Sequence, residues 1–267
     1  MNIFFIFLIL TILILLFIFF ERNLYFICQN NEQSLQNQEI NYIQNIKYPH
    51  YLNNHKFNFN FYNYQHIFPF LRIFKLKRTE ILQEINKNLN YKKKKGKILN
   101  LWHNWPEKNL YHQNMSWKII PFYGFNYWVS YNCTQYPIIY NLLKNIKGLR
   151  TAILSKLGKK TILEKHQGWA ELSNNVLRVH YGIVVPNECY IGVENEKKKI
   201  TNNSIIVFDD SKLHWAENNS DHDRIVLILD IDRPSYIEKG KSIIKDTPEL
   251  KNFIKKIIKS NESEEAH

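Results

Sequence analysis

Three blocks in the second half of the chain carry residues suited to chemistry. They are His166-Gln167-Gly168, Leu177-Arg178-Val179-His180-Tyr181-Gly182, and Phe208-Asp209-Asp210-Ser211-Lys212-Leu213-His214, with Arg224 ten residues further on. Histidines so far apart can share a metal ion only where a β-scaffold folds them together. Arg224 opens the apolar run Arg224 to Leu229. A guanidinium is rarely buried alone, and it pairs bidentately with carboxylates, so its position calls for an anion. That anion is either a bound carboxylate or an internal Asp or Glu. Singly, His214 at a strand end reads as structural, and His166 in the polar stretch Glu164 to Gly168 carries no information.

Strand parity adds to this. Along an extended segment alternate side chains share a face, so Arg178, His180, Gly182 and Val184 lie together, opposite Val179, Tyr181, Ile183 and Val185. The first face is either solvent-exposed or a polar patch inside a core. The run after Arg224 is apolar at both parities, the pattern of a strand covered on both sides.

The elements around these blocks follow from periodicity. Val176–Val185, Cys189–Val193, Ser204–Phe208 and Arg224–Ile231 read as strands. Apolar residues at helical spacing predict helices over Thr79–Leu89, Pro137–Ile146 and Pro248–Lys259. The last places Leu250, Phe253, Ile254, Ile257 and Ile258 on one face, suited to packing on the barrel, with lysines opposite. Regular short strands separated by turns suggest a β-sandwich or jelly roll.

Four stretches differ in texture: 1–22, a transmembrane anchor; 23–95, an Asn-rich stalk with a short helix; 96–240, the domain that carries the three blocks; and 241–267, an amphipathic helix and tail. Ile3–Phe20 is an 18-residue apolar run broken only by Thr11. As a helix it would span about 27 Å, against a hydrocarbon core of roughly 30 Å. A cleaved signal peptide is the rival, but the run ends in Phe19-Phe20-Glu21-Arg22, without a small-residue cleavage site. The expectation is a single-pass membrane protein, with a luminal catalytic domain in the endoplasmic reticulum as one placement.

The net charge of +12 could attract nucleic acid or an anionic membrane. The chain is rich in Asn, Lys and Ile throughout and shows no nucleic-acid-binding motif, so no nucleic-acid partner is expected. Cys28, Cys133 and Cys189 form neither a disulfide framework nor a closely spaced metal-ligand pair.

Together, Ser155 with His166, His-x-Gly, Leu-Arg-x-His-x-Gly-x-x-x-Pro, and Phe-Asp-Asp-Ser-x-x-His with Arg224 resemble the aspartyl/asparaginyl β-hydroxylase family, across Trp117 to Pro234. The resemblance implies a mainly β fold, a double-stranded β-helix (a cupin-like jelly roll) with flanking helices, here preceded by one transmembrane helix. It implies an oxygenase using Fe(II) and 2-oxoglutarate, with His166 and His214 as metal ligands. Ser155, Arg178, His180 and Arg224 would hold the cosubstrate. Related oxygenases complete the iron site with a carboxylate. Gly168 stands at that position, as in the family, so water would fill it, oriented by Asp210.

This chain departs from the family in three respects. Trp169 to Asn175 reads as a small insertion, Trp215 replaces a glutamate, and the tetratricopeptide region of the animal enzymes is absent. The substrate implied is an Asp or Asn β-carbon in a protein. The alternatives are a lipid acyl chain, or a cupin-like binding module at a membrane without turnover.

Overall fold

The computed structural model describes residues 56–89, 101–112 and 114–265. Ile3–Phe20, the Asn-rich stretch to residue 45 and the Lys92–Lys95 run lie outside them. No helix among the described residues is long and apolar enough to cross a membrane.

The chain begins with β1 (Phe61–Tyr62), α1 (Tyr64–Ile67), α2 (Arg72–Leu76) and α3 (Arg78–Leu89). It continues through β2 (His103–Asn104), β3 (Trp117–Gly124), β4 (Tyr127–Trp128), α4 (Ser130–Gln135) and α5 (Pro137–Leu143). Then come β5 (Leu149–Leu157), β6 (Thr161–His166), α6 (Ala170–Ser173), β7 (Val176–Val184), β8 (Cys189–Val193) and β9 (Glu196–Lys199). The last elements are β10 (Ile205–Phe208), β11 (His214–Asn218), β12 (Arg224–Asp232) and α7 (Pro248–Glu265).

Two antiparallel sheets result. The larger runs β1-β10-β7-β12-β5-β3-β2, with β4 paired to β3, and the smaller runs β6-β11-β8-β9. From β5 onward the chain crosses repeatedly between them, which is the winding of a jelly roll. The fold is therefore a mainly β jelly roll with flanking helices. The stretch read as a stalk contributes to it: β1 pairs with β10, and Tyr181 of β7 packs against Phe74 of α2 with tilted rings, centroids 5.7 Å apart.

The register explains why β12 is apolar at both parities. Its inner positions, Arg224, Val226, Ile228 and Asp230, lie beside Leu157, Ser155, Ile153 and Thr151 of β5. Val226 and Ile228 join Trp117, Ile119, Leu163, Ile191 and Phe208 in the core between the sheets. The outer positions Leu227 and Leu229 are also fully buried, as expected where helices cover the sheet. Buried Glu84 of α3 ties that cover together by accepting from the backbone N–H groups of Ile138 and Ile139 at 2.7 and 3.0 Å. These are otherwise unpartnered donors of the first turn of α5.

The periodicity of Pro137–Ile146 overruns the helix, since α5 stops at Leu143. The Pro248–Lys259 expectation falls short, since α7 extends to Glu265. The stretch Trp169–Asn175, read as a small insertion, contains α6, with Trp169 at its N-cap. At the β3–β4 turn Phe125 and Asn126 both take positive φ, 54° and 62°. A tight hairpin turn demands this geometry, and it costs a non-glycine residue about 1 kcal/mol.

Candidate active site

One end of the jelly roll gathers most of the polar residues. β6 and β11 pair so that His166 and His214 lie directly across from each other, next to a register shift between His214 and Ala216. Their ring centroids are 4.3 Å apart. His166 Nδ1 is 2.6 Å from the carbonyl oxygen of Glu164, and His214 Nδ1 is 2.9 Å from that of Lys212. A carbonyl only accepts, so each Nδ1 carries the proton and each Nε2 presents a lone pair. Burial drives the His166 pKa down to about 3, helped by His214. Burial, with the Arg178 charge, takes His214 to about 4. Both rings are therefore neutral near pH 7.

Asp210 lies between them and Arg178. Its Oδ1 is 3.2 Å from His214 Nε2 and 2.5 Å from Arg178 Nη1. Neither carboxylate oxygen receives a well-aligned hydrogen bond. Burial raises its pKa, with Arg178 opposing. A Cβ at Gly168 would come 1.9 Å from Asp210 Oδ2 and 2.7 Å from Ser173 Cβ. The space a carboxylate-bearing residue 168 would need is thus already filled, by the carboxylate of Asp210.

Arg178 and His180 both lie on the inner face. Arg178 holds Asp230 with two hydrogen bonds, Nε to Oδ1 at 2.7 Å and Nη2 to Oδ2 at 2.9 Å. Its guanidinium therefore spans two carboxylates of the chain itself, which outweigh burial and raise its pKa. His180 is 3% exposed and its Nδ1 is buried without a partner. Burial, then the charges of Arg224 and Arg178, keep it well below the ordinary histidine range.

Deeper in the barrel, Ser155 is fully buried, and its Oγ accepts from Trp117 Nε1 at 3.0 Å. Arg224 is 1% exposed. Its Nε and Nη1 have no hydrogen-bond partner, and among the described residues no carboxylate pairs with it. Burial alone pulls its pKa down to about 10, with Cys189 opposing weakly. The internal salt bridge that could have explained this arginine is absent among the described residues.

A cavity of about 470 Å³ opens over His166 and Gly168. It runs between the inner face of β3 and β5 and the apolar face of α7, which contributes Leu250, Phe253 and Ile257. Trp105 stacks on Trp117 at 4.4 Å and on Trp169 at 5.9 Å, and all three line the cavity. Buried Glu107 fastens this wall. It accepts from Trp105 Nε1 at 3.2 Å, Trp169 Nε1 at 3.4 Å and Thr247 Oγ1, just before α7, at 2.9 Å.

His166, His214, Asp210 and Arg178 thus come together, with His180, Ser155 and Arg224 on the inner faces beneath. Three contributors escaped the sequence reading. Asp230 was legible, since it falls at the parity of Arg224, Val226 and Ile228 in an otherwise apolar strand. The tryptophan stack and Glu107 come from separate segments, so no spacing announced them.

Two neutral imidazoles with their Nδ1–H groups already fixed, beside the Asp210 carboxylate, fit a divalent iron. Among the described residues no group of three or more His, Cys, Asp or Glu side chains is arranged to hold a metal ion.

The class defined by fold and site is a jelly roll with a two-histidine pocket. The sequence match is more specific: the family model "Aspartyl/Asparaginyl beta-hydroxylase" matches residues 75–234, and the chain belongs to that family. It is 31% identical over 121 residues to the "Ornithine lipid ester-linked acyl 2-hydroxylase" of Rhizobium tropici, covering 44% of this chain and 42% of that protein. It is 29% identical over 116 residues to the mouse "Aspartate beta-hydroxylase domain-containing protein 2", covering 40% of this chain and 33% of that protein. The chain spans less than half the length of these curated relatives. Among solved structures, a 2OG-Fe(II) oxygenase family oxidoreductase from Burkholderia pseudomallei aligns with a TM-score of 0.41 and 10% identity, over 60% of this chain and 82% of that one.

Proposed function

We propose that this protein is an Fe(II)- and 2-oxoglutarate-dependent hydroxylase, held at a membrane by residues 3–20. One observation carries the reading: a guanidinium, Arg224, buried without a counter-ion among the described residues, in the same barrel as a pair of neutral histidines. A buried cation without a partner is costly, and a dicarboxylate cosubstrate relieves that cost at its far end.

His166 and His214 would bind the metal through Nε2. Asp210, steered by Arg178, would orient a water beside the metal. Arg224 would clamp the far carboxylate of 2-oxoglutarate, with His180 and the Ser155 hydroxyl completing its hydrogen bonds. Arg178 is already engaged by Asp230 and Asp210, so its part in holding cosubstrate would run through Asp210. When bound, iron, 2-oxoglutarate and O2 supply the oxidant that turns C–H into C–OH, releasing succinate and CO2. The tryptophan wall and α7 keep water from the reacting carbon.

For the substrate, the cavity walls favour an alkyl chain over an Asp or Asn side chain in a protein. Trp105, Trp169, Ile153, Leu250 and Phe253 line it, and its acidic groups, Glu107 and Asp230, are already hydrogen-bonded. The acyl-hydroxylase name of the Rhizobium tropici relative agrees.

The test incubates the purified full chain with Fe(II), 2-oxoglutarate and O2, alongside a His214→Ala control. Succinate is assayed, and lipids and Asp/Asn peptides are weighed by mass spectrometry for one added oxygen. Folded protein that neither binds iron nor forms succinate overturns the hydroxylase. Oxygen added to peptide rather than lipid overturns the acyl substrate.

A further inference from the structure

Among the described residues, large exposed hydrophobic side chains gather at the mouth of the cavity. Of the seven large hydrophobic side chains exposed among the described residues, Phe125 (60%), Leu213 (36%) and Ile244 (41%) line the opening. A fourth, Ile243 (84%), is next to Ile244 in the chain. Exposed apolar groups gathered at one opening mark an interaction surface, whereas single scattered ones do not.

Both projecting elements are held in place. Phe125 occupies the tip of the β3–β4 hairpin at a φ of 54°, the geometry that a two-residue hairpin turn fixes. Ile243 lies between two pinned neighbours. The Ser242 N–H donates to Asn174 Oδ1 at 2.8 Å, and its carbonyl accepts from Asn174 Nδ2 at 3.0 Å. Its hydroxyl donates to the Gly168 carbonyl at 2.6 Å. The Ile244 carbonyl accepts from the Ala170 N–H at 2.8 Å. The same turn that sets the metal pocket therefore fixes the protruding isoleucines, and a fixed apolar protrusion loses little entropy on insertion.

The charge around the rim is positive. Glu238 and Asp246 are each neutralised, by Lys241 and Lys251. Lys165 lines the opening, and Lys239 and Lys245 are exposed on the flanking segment, an excess of lysine over the exposed carboxylates Glu171 and Glu249.

From this we infer that the cavity mouth docks on an anionic lipid bilayer, with Phe125, Ile243 and Ile244 entering the headgroup region and Lys165, Lys239 and Lys245 meeting lipid phosphates. Basic residues ringing an apolar tip are the pattern of interfacial membrane binding. The inference deepens the acyl-chain reading, because a docked mouth would draw its substrate directly from the leaflet. It requires no turnover, so its test stands apart from that of the hydroxylase.

The experiment uses the full chain in phosphatidylcholine vesicles with or without phosphatidylglycerol. In a Cys28→Ser background, where Cys133 and Cys189 are buried, Phe125→Cys and Ile243→Cys each carry an environment-sensitive fluorophore. Lys159→Cys, in the β5–β6 turn, gives a control about 20 Å away along β5 from the cavity-lining Thr151. The rim probes should shift to the blue and be quenched by headgroup-borne quenchers on anionic vesicles, while the control stays aqueous. Lys165→Gln, Lys239→Gln and Lys245→Gln together should weaken docking about a hundredfold, at roughly fivefold per lysine. Rim probes that stay aqueous on anionic vesicles overturn the inference, because any tether at residues 3–20 already holds the domain near the surface. Equal quenching at Lys159→Cys overturns it too, as does a rim shift that appears only when an Asp/Asn peptide is added.

Discussion

Gly168 and Asp210 compete for one volume. With only 1.9 Å between a Cβ at position 168 and Asp210 Oδ2, and 2.7 Å to Ser173 Cβ, no side chain fits at 168 while Asp210 keeps its place. Gly168→Ala should destabilise the fold by about 1–3 kcal/mol, the ordinary cost of overpacking. Asp210→Gly in the same chain should recover only part of that, since Ser173 still crowds the site; a thermal melt of the three variants checks it. Arg224 should behave oppositely. As a buried cation with two unpartnered nitrogens it costs stability in the absence of its ligand, and an apolar residue of similar size does not. Arg224→Met should leave the apoprotein as stable or more stable, yet weaken 2-oxoglutarate binding by about 2–5 kcal/mol, the range for truncating one member of a buried charge pair. Calorimetric titration with 2-oxoglutarate and a urea melt of the same sample separate the two effects. A variant that loses stability and binding together would make Arg224 a structural residue.

Among the elements, the strands that hold the site were the most legible. β7 and β12 are nine residues each, long enough for parity to place Arg178 with His180 on one face of β7, while the register of the two strands adds Arg224 to that face. The boundary of the stalk was not legible. β1 is two residues long, too short for any period to register, and only its pairing with β10 shows that the segment belongs to the sheet. The faces of α7 could be read from its 3.6-residue repeat, but not the cavity it would cover, because its counterpart on β3 and β5 lies about a hundred residues earlier. Leu250 is 3% exposed and lines that cavity. Leu250→Ala should therefore cost about 2 kcal/mol, the low end for a buried leucine beside an existing void, measurable as a lower urea midpoint. It should also uncouple turnover, so that less hydroxylated product forms per succinate as water reaches the pocket. Glu107→Gln should uncouple in the same way, because the glutamine amide can no longer accept from Trp169, Trp105 and Thr247 together.

For the whole molecule, the buried polar cluster sets how stability depends on pH. His166, His180 and His214 all have pKa values below the ordinary histidine range, the first near 3 and the last near 4. In the unfolded chain they titrate near 6.5. Between those limits the unfolded state binds more protons than the folded one, so acid favours unfolding as the pH falls below about 6.5. Asp210 acts in the opposite sense. Its raised pKa means that the folded state takes up a proton first as the pH falls, which adds stability over part of the same window. With His103 also held low and Glu84 also held high by burial, four histidines against two carboxylates leave a net loss, so the apoprotein should melt at steadily lower temperature from pH 6.5 to pH 4.5. Iron held by His166 and His214 would add stability by mass action at the folded site alone, and the two imidazoles, with pKa values near 3 and 4, stay neutral across this range. Melts with Fe(II) and with a chelator should therefore stay separated by a near-constant amount from pH 6.5 to pH 4.5 and converge only below about pH 4. A separation that persists unchanged below about pH 4 would show that the metal binds elsewhere than at His166 and His214.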